Sequence, residues 1–342
     1  LEALSFLIPG RGLRGAKLSE VGRRLSQETD GVVKWGVSAK VNVGDSVLRI
    51  GTGSEYNTCG GNRREKRIIK INGAILKKQS DLGNYTSAQW LTPQMDRLFL
   101  EGASSRRRFF DQLIAGLDSG HAELVSEYQY SVKSRNRLLR DKVKDPNWLM
   151  PIEEVIARTG VAIAVRRIEA IDRLQKQVPK SIGAFPGAVV NVKGQIEDLL
   201  VSTPALLVED KFLENLRSSR EKDRLSGITS IGPHRSDFVV FHAGKGNEAA
   251  ICSTGEQKSL LIGIILAFAR LQAERRGFMP LLLLDEITAH LDEKRRRSLA
   301  ELIIDIGAQA WITGTEEKLL NVFGDRAQYL TFSDNKLIKS DK

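Results

Sequence analysis

The chain opens with period-two alternation. In "VSAKVNV", Val37, Ala39, Val41 and Val43 fall on one face and Ser38, Lys40 and Asn42 on the other, which predicts a half-buried strand. Gly44-Asp45 turns it into "SVLRI", and "RIIKINGAILKK" predicts a further hairpin tipped by Asn72-Gly73, a pair that accepts the positive φ of a tight turn. At Pro93 the pattern changes. Ser104 or Ser105 is placed to cap a helix whose Phe109, Phe110, Leu113, Ile114 and Leu117 share one face. After a break at Gly120, Leu124, Tyr128, Val132, Arg135 and Leu139 step along a second helix. Pro151 suits the first position of a third helix, which runs to about Val178, where Pro179 stops it. Residues 94 to 180 therefore read as an all-helical insertion. Beyond Phe185 strands and helices alternate: "AVVNVKG", a helix over Leu206 to Arg220, "DFVVF" from Asp237, an apolar helix through Leu260 to Leu271, the strand "LLLLD", a helix over Leu299 to Ile306, and "AQAWIT". Alternation of this kind predicts an α/β fold with a doubly wound parallel sheet. "PLLLLD", apolar on both faces, suits its centre.

Composition narrows the partners. The 342 residues carry 52 Lys and Arg against 42 Asp and Glu, a net charge of +10 and a pI near 9.6. A basic surplus of this size favours a polyanion, nucleic acid before an anionic membrane surface. Cys59 and Cys252 stand far apart, outside any C-x-x-C pair, which fits a reducing, cytoplasmic setting. The longest apolar run, Leu260 to Ala269, is far short of the roughly 18 residues of a membrane span, so no membrane partner is expected.

Two stretches carry candidate chemistry. "LLLLDE" delivers Asp285 and Glu286 to the carboxyl end of a central strand, where doubly wound sheets bind ligands. Asp285 is a candidate for holding Mg²⁺ through water, and Glu286 for polarising a water against a γ-phosphate. In "STGEQK", Ser253, Thr254 and Gly255 open a helix at the positive end of its dipole, with Glu256 and Gln257 following. An acidic strand end and an ordinary capped helix are the plain alternatives. No phosphate-binding loop of the form G-x-x-x-x-G-K-[ST] occurs in the 342 residues. Candidate DNA contacts are Arg11 and Arg14 in "GRGLRG" and Arg106, Arg107 and Arg108 at a helix start, with Lys133, Arg137 and Arg140 on one face of the next helix. His234 in "GPHRSD" either orients the turn before Asp237 or meets a ligand, while His121 and His242 read as structural.

The order "STGEQK", "LLLLDE", "HLDEKRR" resembles the ABC-type ATPases of the chromosome-maintenance (SMC-like) and break-repair branch. "LEALSFLIPGRGLRG", "WLTPQMDRLFLEGASSRRRFFD", "RNRLL", "GPHRSDF", "CSTGEQKSLL" and "ITGT" follow one another as in the RecF family of recombination mediators, a resemblance over essentially the whole chain. It implies an ABC-type P-loop ATPase head with an all-helical insertion lobe. Residues 1–93 and 183–342 would form the ATPase lobe, and 94–182 the helical lobe. It also assigns roles: Ser253 to Gln257 as the signature motif, Leu281 to Asp285 as Walker B, Glu286 as the catalytic glutamate, and His290, Leu291 and Asp292 as the D-loop. Gln94 falls at the Q-loop, and Thr313 or Thr315 stands where transporters have a switch histidine. The cofactors implied are ATP and Mg²⁺. The implied partners are DNA, with a preference for single-stranded and gapped or linear duplex forms, a second copy in an ATP-dependent head-to-tail homodimer, and RecR and RecO. The implied setting is DNA replication, recombination, repair of DNA damage and the SOS response. The alternatives are a non-enzymatic DNA-binding fragment and a transporter ATPase subunit, the latter disfavoured by the insertion and the basic charge.

In the family, a loop G-x-x-G-x-G-K-T-N runs directly into "LLEAL", so the missing loop is expected just upstream of Leu1, and a weak ATP hydrolase is expected only when it is present. The 342-residue polypeptide itself, without that cradle and its lysine, is expected to bind ATP poorly and to hydrolyse it negligibly. Isothermal titration and phosphate-release assays check this, and turnover abolished by Glu286→Gln would defeat it.

Overall fold

A computed structural model describes residues 1–22, 34–43, 46–59, 62–141, 145–178, 181, 183–289, 291–333 and 336–339. The expected Gly44-Asp45 turn, the Pro179 stop and His290 lie outside the described residues. Two short helices, α1 (Glu2–Ser5) and α2 (Leu18–Val21), precede an antiparallel sheet of β1 (Gly36–Val43), β2 (Ser46–Cys59), β3 (Asn62–Ile71) and β4 (Ala74–Ile75). β1 alternates between half-buried and exposed residues along its whole length, as its sequence predicts. Asn72 and Gly73 both take positive φ, 49° and 89°, and close the β3–β4 hairpin. The long β2–β3 hairpin carries the sheet well beyond the "SVLRI" segment.

β5 (Ala88–Leu91) leads into the helices α3 (Ala103–Leu117), α4 (Gly120–Arg140) and α5 (Pro146–Gln177). Two helix starts differ from expectation. Gly102, not Ser104 or Ser105, is the N-cap of α3, and both serines lie inside its first turn. α5 begins five residues before Pro151, because the Asp145 carboxylate accepts from Asn147 N at 2.9 Å and Pro146 takes the first position. Pro151 sits within the helix and forfeits the bond to the Asn147 carbonyl.

The remainder comprises β6 (Ala188–Lys193), α6 (Gln195–Leu200), α7 (Ala205–Ser218), α8 (Arg220–Ser226), β7 (Asp237–His242), α9 (Thr254–Arg276), β8 (Leu281–Leu284), α10 (Glu293–Ile306), β9 (Ala310–Ile312), α11 (Glu317–Leu320), β10 (Leu330–Ser333) and β11 (Lys336–Lys339). β8 lies at the centre of a parallel sheet of order β5-β8-β9. β6 and β7 do not join that sheet but pair antiparallel with each other. The reason is visible in β6: Ala188, Val190 and Val192 are buried while Val189, Asn191 and Lys193 are exposed, the one-sided pattern of an antiparallel pair.

The main core gathers around α9, which is buried on all sides from Leu260 to Ala269 except at Gly263, between the parallel sheet, α3, α10 and the β6–β7 pair. Phe110 of α3 stacks on Phe238 of β7 with ring centroids 4.4 Å apart. A second core joins α4 and α5 through Tyr128, Val132, Ile156 and Ile163, and Ile196, Val208, Phe212 and Leu216 from α6 and α7 pack into it. Helices from beyond residue 182 thus complete the helical cluster. No helix of the described residues is long and apolar enough to cross a membrane.

At the centre of that cluster lies an ionic network whose core, Arg135, Glu153 and Asp223, is fully buried. Arg135 donates to Glu153 at 3.0 Å, to Asp223 at 2.7 Å, to Thr229 at 2.9 Å and to the Leu216 carbonyl at 2.7 Å. Arg220 adds a second guanidinium to Glu153 at 2.6 Å. The network joins α4, α5, α7 and α8. Arg135→Met would leave Asp223 buried without its cation, and the expected loss is about 3–5 kcal/mol of unfolding free energy. Urea denaturation checks this, and a loss under about 1 kcal/mol would show the network to be replaceable by packing.

Candidate functional site

The parallel ladder ends where the acidic residues begin. Asp285 N donates to Leu91 O at 2.8 Å and Thr313 N donates to Leu284 O at 3.0 Å, so the end of β8 is tied to both neighbours. Thr313 then bridges the two acids: its hydroxyl donates to Asp285 Oδ1 at 2.6 Å and accepts from Glu286 N at 3.2 Å. Glu286 has φ 49°, the left-handed region that few side chains adopt, and its carboxylate is exposed. Such a backbone costs on the order of 1 kcal/mol and is commonest where a site demands it. Gln94 is exposed in the 3₁₀ turn Pro93–Arg97 that follows β5. The ends of three adjacent parallel strands therefore bring Gln94, Asp285, Glu286 and Thr313 to one edge of the sheet.

Lys258, which the sequence reading left out of the candidate set, stitches this edge to α9. It is 3 % exposed, and its ammonium lies 3.1 Å from Asp96 Oδ2 in the Gln94 turn and 3.4 Å from the carbonyl of Glu286. The signal was its place directly after Gln257 in the same motif.

Ser253 is the N-cap of α9. Its hydroxyl accepts from Glu256 N at 3.4 Å, and Glu256 Oε2 accepts from Ser253 N at 3.1 Å, a reciprocal capping box. Lys245 clasps the other oxygen of Glu256 at 2.6 Å. The Lys245 hydrogen bond and then the Ser253 N–H hold the Glu256 carboxyl down to about 2. Gln257 points inward, donating to Ala250 O at 3.2 Å and Cys252 O at 2.9 Å, so it braces the loop before the helix. Ser253 and Thr254 remain exposed. Asp292 caps α10 by accepting from Arg295 N at 2.8 Å. A Cβ on Gly255 would come within 3.1 Å of Arg295 Nη1, so the starts of α9 and α10 sit side by side.

The basic candidates separate. Arg106, a candidate DNA contact in the sequence, pairs with Asp237 at 2.8 and 2.7 Å. Arg107 is half-buried and donates to Ser236 O at 2.6 Å. Arg108, Arg11 and Arg14 are exposed. The loop bearing Arg11 is anchored by Arg67, whose guanidinium bonds the carbonyls of Phe6, Ile8 and Gly10. Gly12 there has φ 79°, and a Cβ would strike the Phe6 ring at 2.9 Å.

His234 is structural in its contacts. Its Nε2 donates to Thr229 O at 2.9 Å and its Nδ1 accepts from the Tyr128 hydroxyl at 2.6 Å, while burial lowers its pKa and favours this neutral form. It fixes the "GPHR" turn against α4. His121 is fully buried with Nε2 3.0 Å from Asp111, and His242 Nδ1 accepts from Gly244 N at 3.2 Å.

No protein-family model matches the chain. It is 42 % identical over 333 residues to the DNA replication and repair protein RecF of Mesorhizobium japonicum, covering 97 % of this chain and 86 % of that protein. It is 43 % identical over 335 residues to the protein of the same name from Agrobacterium fabrum, covering 97 % and 87 %. Among solved structures, the recombination mediator protein RecF-ATP of the RecFOR pathway superposes with a TM-score of 0.77 at 23 % identity, over 99 % of this chain and 88 % of that one.

Lys258→Met keeps the stem but removes the charge that holds the Gln94 turn to α9, leaving Asp96 half-buried and unpaired. The expected cost is about 2 kcal/mol, read as a lowered urea midpoint. An unchanged midpoint would remove Lys258 from the scaffold of the strand ends.

Proposed function

We propose, since this chain belongs to the RecF family, that it is a DNA-binding ATPase of replication, recombination and repair that works as an ATP-bridged pair of its own copies. The relatives' name supports the process, and the RecFOR structure, described as a recombination mediator with ATP, supports the nucleotide. The observation that carries the ATPase reading is the Thr313 bridge, which orders Asp285 and Glu286 side by side at the end of β8.

In this reading the two acids divide the work. Thr313 occupies Oδ1 of Asp285, which is itself half-buried at the end of the strand. A single hard oxygen donor of this kind suits Mg²⁺, which takes one or two carboxylates along with substrate phosphates rather than an all-protein cage. Among the described residues no group of three or more His, Cys, Asp or Glu is placed to hold a metal ion by itself. Mg²⁺, when bound, offsets the charge of the triphosphate. The exposed Glu286 carboxylate orients and polarises the attacking water, and Gln94 lies in the turn that follows the neighbouring strand β5. Exposed Ser253 and Thr254, with half-buried Gly255, stand at the positive end of a 23-residue helix, where they receive the γ-phosphate of ATP held by the opposite copy. Asp292, capping the adjacent α10, follows the same surface.

DNA is held through its phosphates by exposed Arg11, Arg14 and Arg108 and the +10 net charge, with little base readout. Single-stranded and gapped or linear duplex DNA are the proposed forms, RecR and RecO the proposed partners, and recombinase loading the proposed outcome.

The test uses a polypeptide in which a phosphate-binding loop precedes Leu1. Glu286→Gln is expected to bind ATP without splitting it and to accumulate as a dimer. Ser253→Arg is expected to stay monomeric with ATP, as is the double variant. Ser253→Gly, which costs the helix cap only a few tenths of a kcal/mol, controls for folding. Light scattering with ATP separates the cases, and normal dimerisation of Ser253→Arg would reduce "STGEQK" to a capped helix.

A further inference from the structure

Two cavities meet along α3. The larger, of about 370 Å³, lies between the Gly10–Gly12 loop and the C-terminal half of α3, with Arg11, Trp90, Arg108 and Arg276 in its walls. The smaller, of about 200 Å³, lies between α3, α4, α5 and the Pro233-His234 turn, with Ser104, Arg107, Arg108 and Arg167 in its walls. Arg108, Asp111 and Val125 line both.

The charges of the smaller cavity do not balance. Its single carboxylate, Asp111, is spent on Arg167 at 2.9 and 2.8 Å and on His121 at 3.0 Å. Burial opposes ionisation of Asp111, but the His121 hydrogen bond and Arg167 outweigh it and hold the carboxyl below its usual range. Arg167 completes its set with Pro233 O at 2.7 Å and Glu197 at 3.4 Å. Arg106 takes Asp237. That leaves Arg107 and Arg108, for which no carboxylate lies in ion-pair reach among the described residues. Arg107 has one backbone carbonyl, Ser236 O. Burial is the largest influence lowering its pKa, with the charge of Arg167 next, and Asp237 and Asp111 offset part of this from beyond ion-pair distance. His234 adds no positive charge in its neutral form. α3 starts at Gly102 with no side-chain cap, so its first-turn N–H groups add a partial positive charge at the same end as Ser104.

We propose that the smaller cavity is a phosphate site, and that its occupant is the phosphate monoester at the end of a DNA strand. A monoester carries about −1.5 to −2 charge near pH 7, which matches two unpaired guanidiniums better than the single charge of an internal diester. The adjoining cavity, walled by Ile8, Pro9, Ala88 and Trp90 and large enough for a small-molecule ligand, takes the attached nucleoside. The assignment rests on the DNA-binding reading above, and it places strand-end recognition at the seam between the ATPase core and the helical cluster.

The test is fluorescence anisotropy of the 342-residue chain with one oligonucleotide in three forms: 5′-phosphorylated, 3′-phosphorylated and unphosphorylated. At least one phosphorylated form is expected to bind about tenfold more tightly than the unphosphorylated one, the size of a charge-assisted hydrogen-bond pair. Arg107→Gln is expected to abolish that preference while leaving the affinity for the unphosphorylated form within about twofold, whereas Arg108→Gln, which also removes a proposed backbone-phosphate contact, is expected to abolish the preference and to weaken binding of all three forms. Melting temperatures confirm that both variants fold. Equal wild-type affinity for all three forms overturns the proposal and leaves DNA binding intact. No binding to any form removes the DNA reading as well. Protection from melting by inorganic phosphate, lost in Arg107→Gln but without any end preference on DNA, overturns the strand-end assignment in favour of a free anion.

Discussion

β8 has no polar face, and the rest of the main core follows from that. Leu282 and Leu284 pack into the cluster around α9, and Leu283 into the cluster with Ile8 and Ala88 on the other side. Each buried leucine contributes on the order of 2 kcal/mol. A strand covered on both faces needs neighbours on both edges, which β5 and β9 supply in parallel. The apolar run stops at Asp285, so the first polar side chains appear where the sheet edge opens to solvent. The left-handed turn at Glu286 is held in place from three directions: Leu91 O on one side, Thr313 on the other, and Lys258 from the helix above.

Much of this was legible because it is local. Alternation in "VSAKVNV", the Asn72-Gly73 turn, the apolar faces of α3 and α4, and the run "LLLLDE" each depend on residues within a dozen positions of one another. The capping box at Ser253 and Glu256 has the same character. The start of α5 was misplaced because two prolines compete for one role, and the Asp145 cap decides for Pro146. The antiparallel pairing of β6 with β7 departs from the parallel sheet that strand–helix alternation predicts, and the single-sided alternation of "AVVNVK" is the local signal for it. The joining of α6 and α7 to the helical cluster depends on contacts across a strand and has no local signature.

Charge pairing was the least legible layer. Arg106, Arg107 and Arg108 are equivalent as text and have three different environments in the fold. The first is neutralised by Asp237, 131 positions away, the second rests on a backbone carbonyl 129 positions away, and the third is exposed. Arg135 reads as one polar member of a helix face, yet it is the centre of a buried network drawn from three other segments. The role of His234 likewise waits on Tyr128, 106 positions earlier. Spacing finds the elements, and only the assembled fold says which cations have lost their freedom and which have not.

The start of α9 shows how a local device could share residues with the proposed intersubunit role. Ser253 and Glu256 satisfy each other, and Lys245 neutralises the Glu256 carboxylate, so the start of α9 is ordered within a single copy. Helix geometry leaves the first-turn N–H groups of Thr254 and Gly255 without carbonyl partners inside the helix. Gly255 has no side chain, and the Arg295 guanidinium lies where a Cβ would project, 3.1 Å from that position. For the proposed closure of a second copy over ATP, this means that the donors are already fixed, and closure does not have to bear the entropy of ordering them. The charge of Glu256 would otherwise repel an incoming phosphate, and its ion pair with Lys245 mutes that repulsion. Capping and the proposed phosphate reception are therefore compatible uses of the same turn: the cap supplies the order, and the unpaired N–H groups would supply the contact.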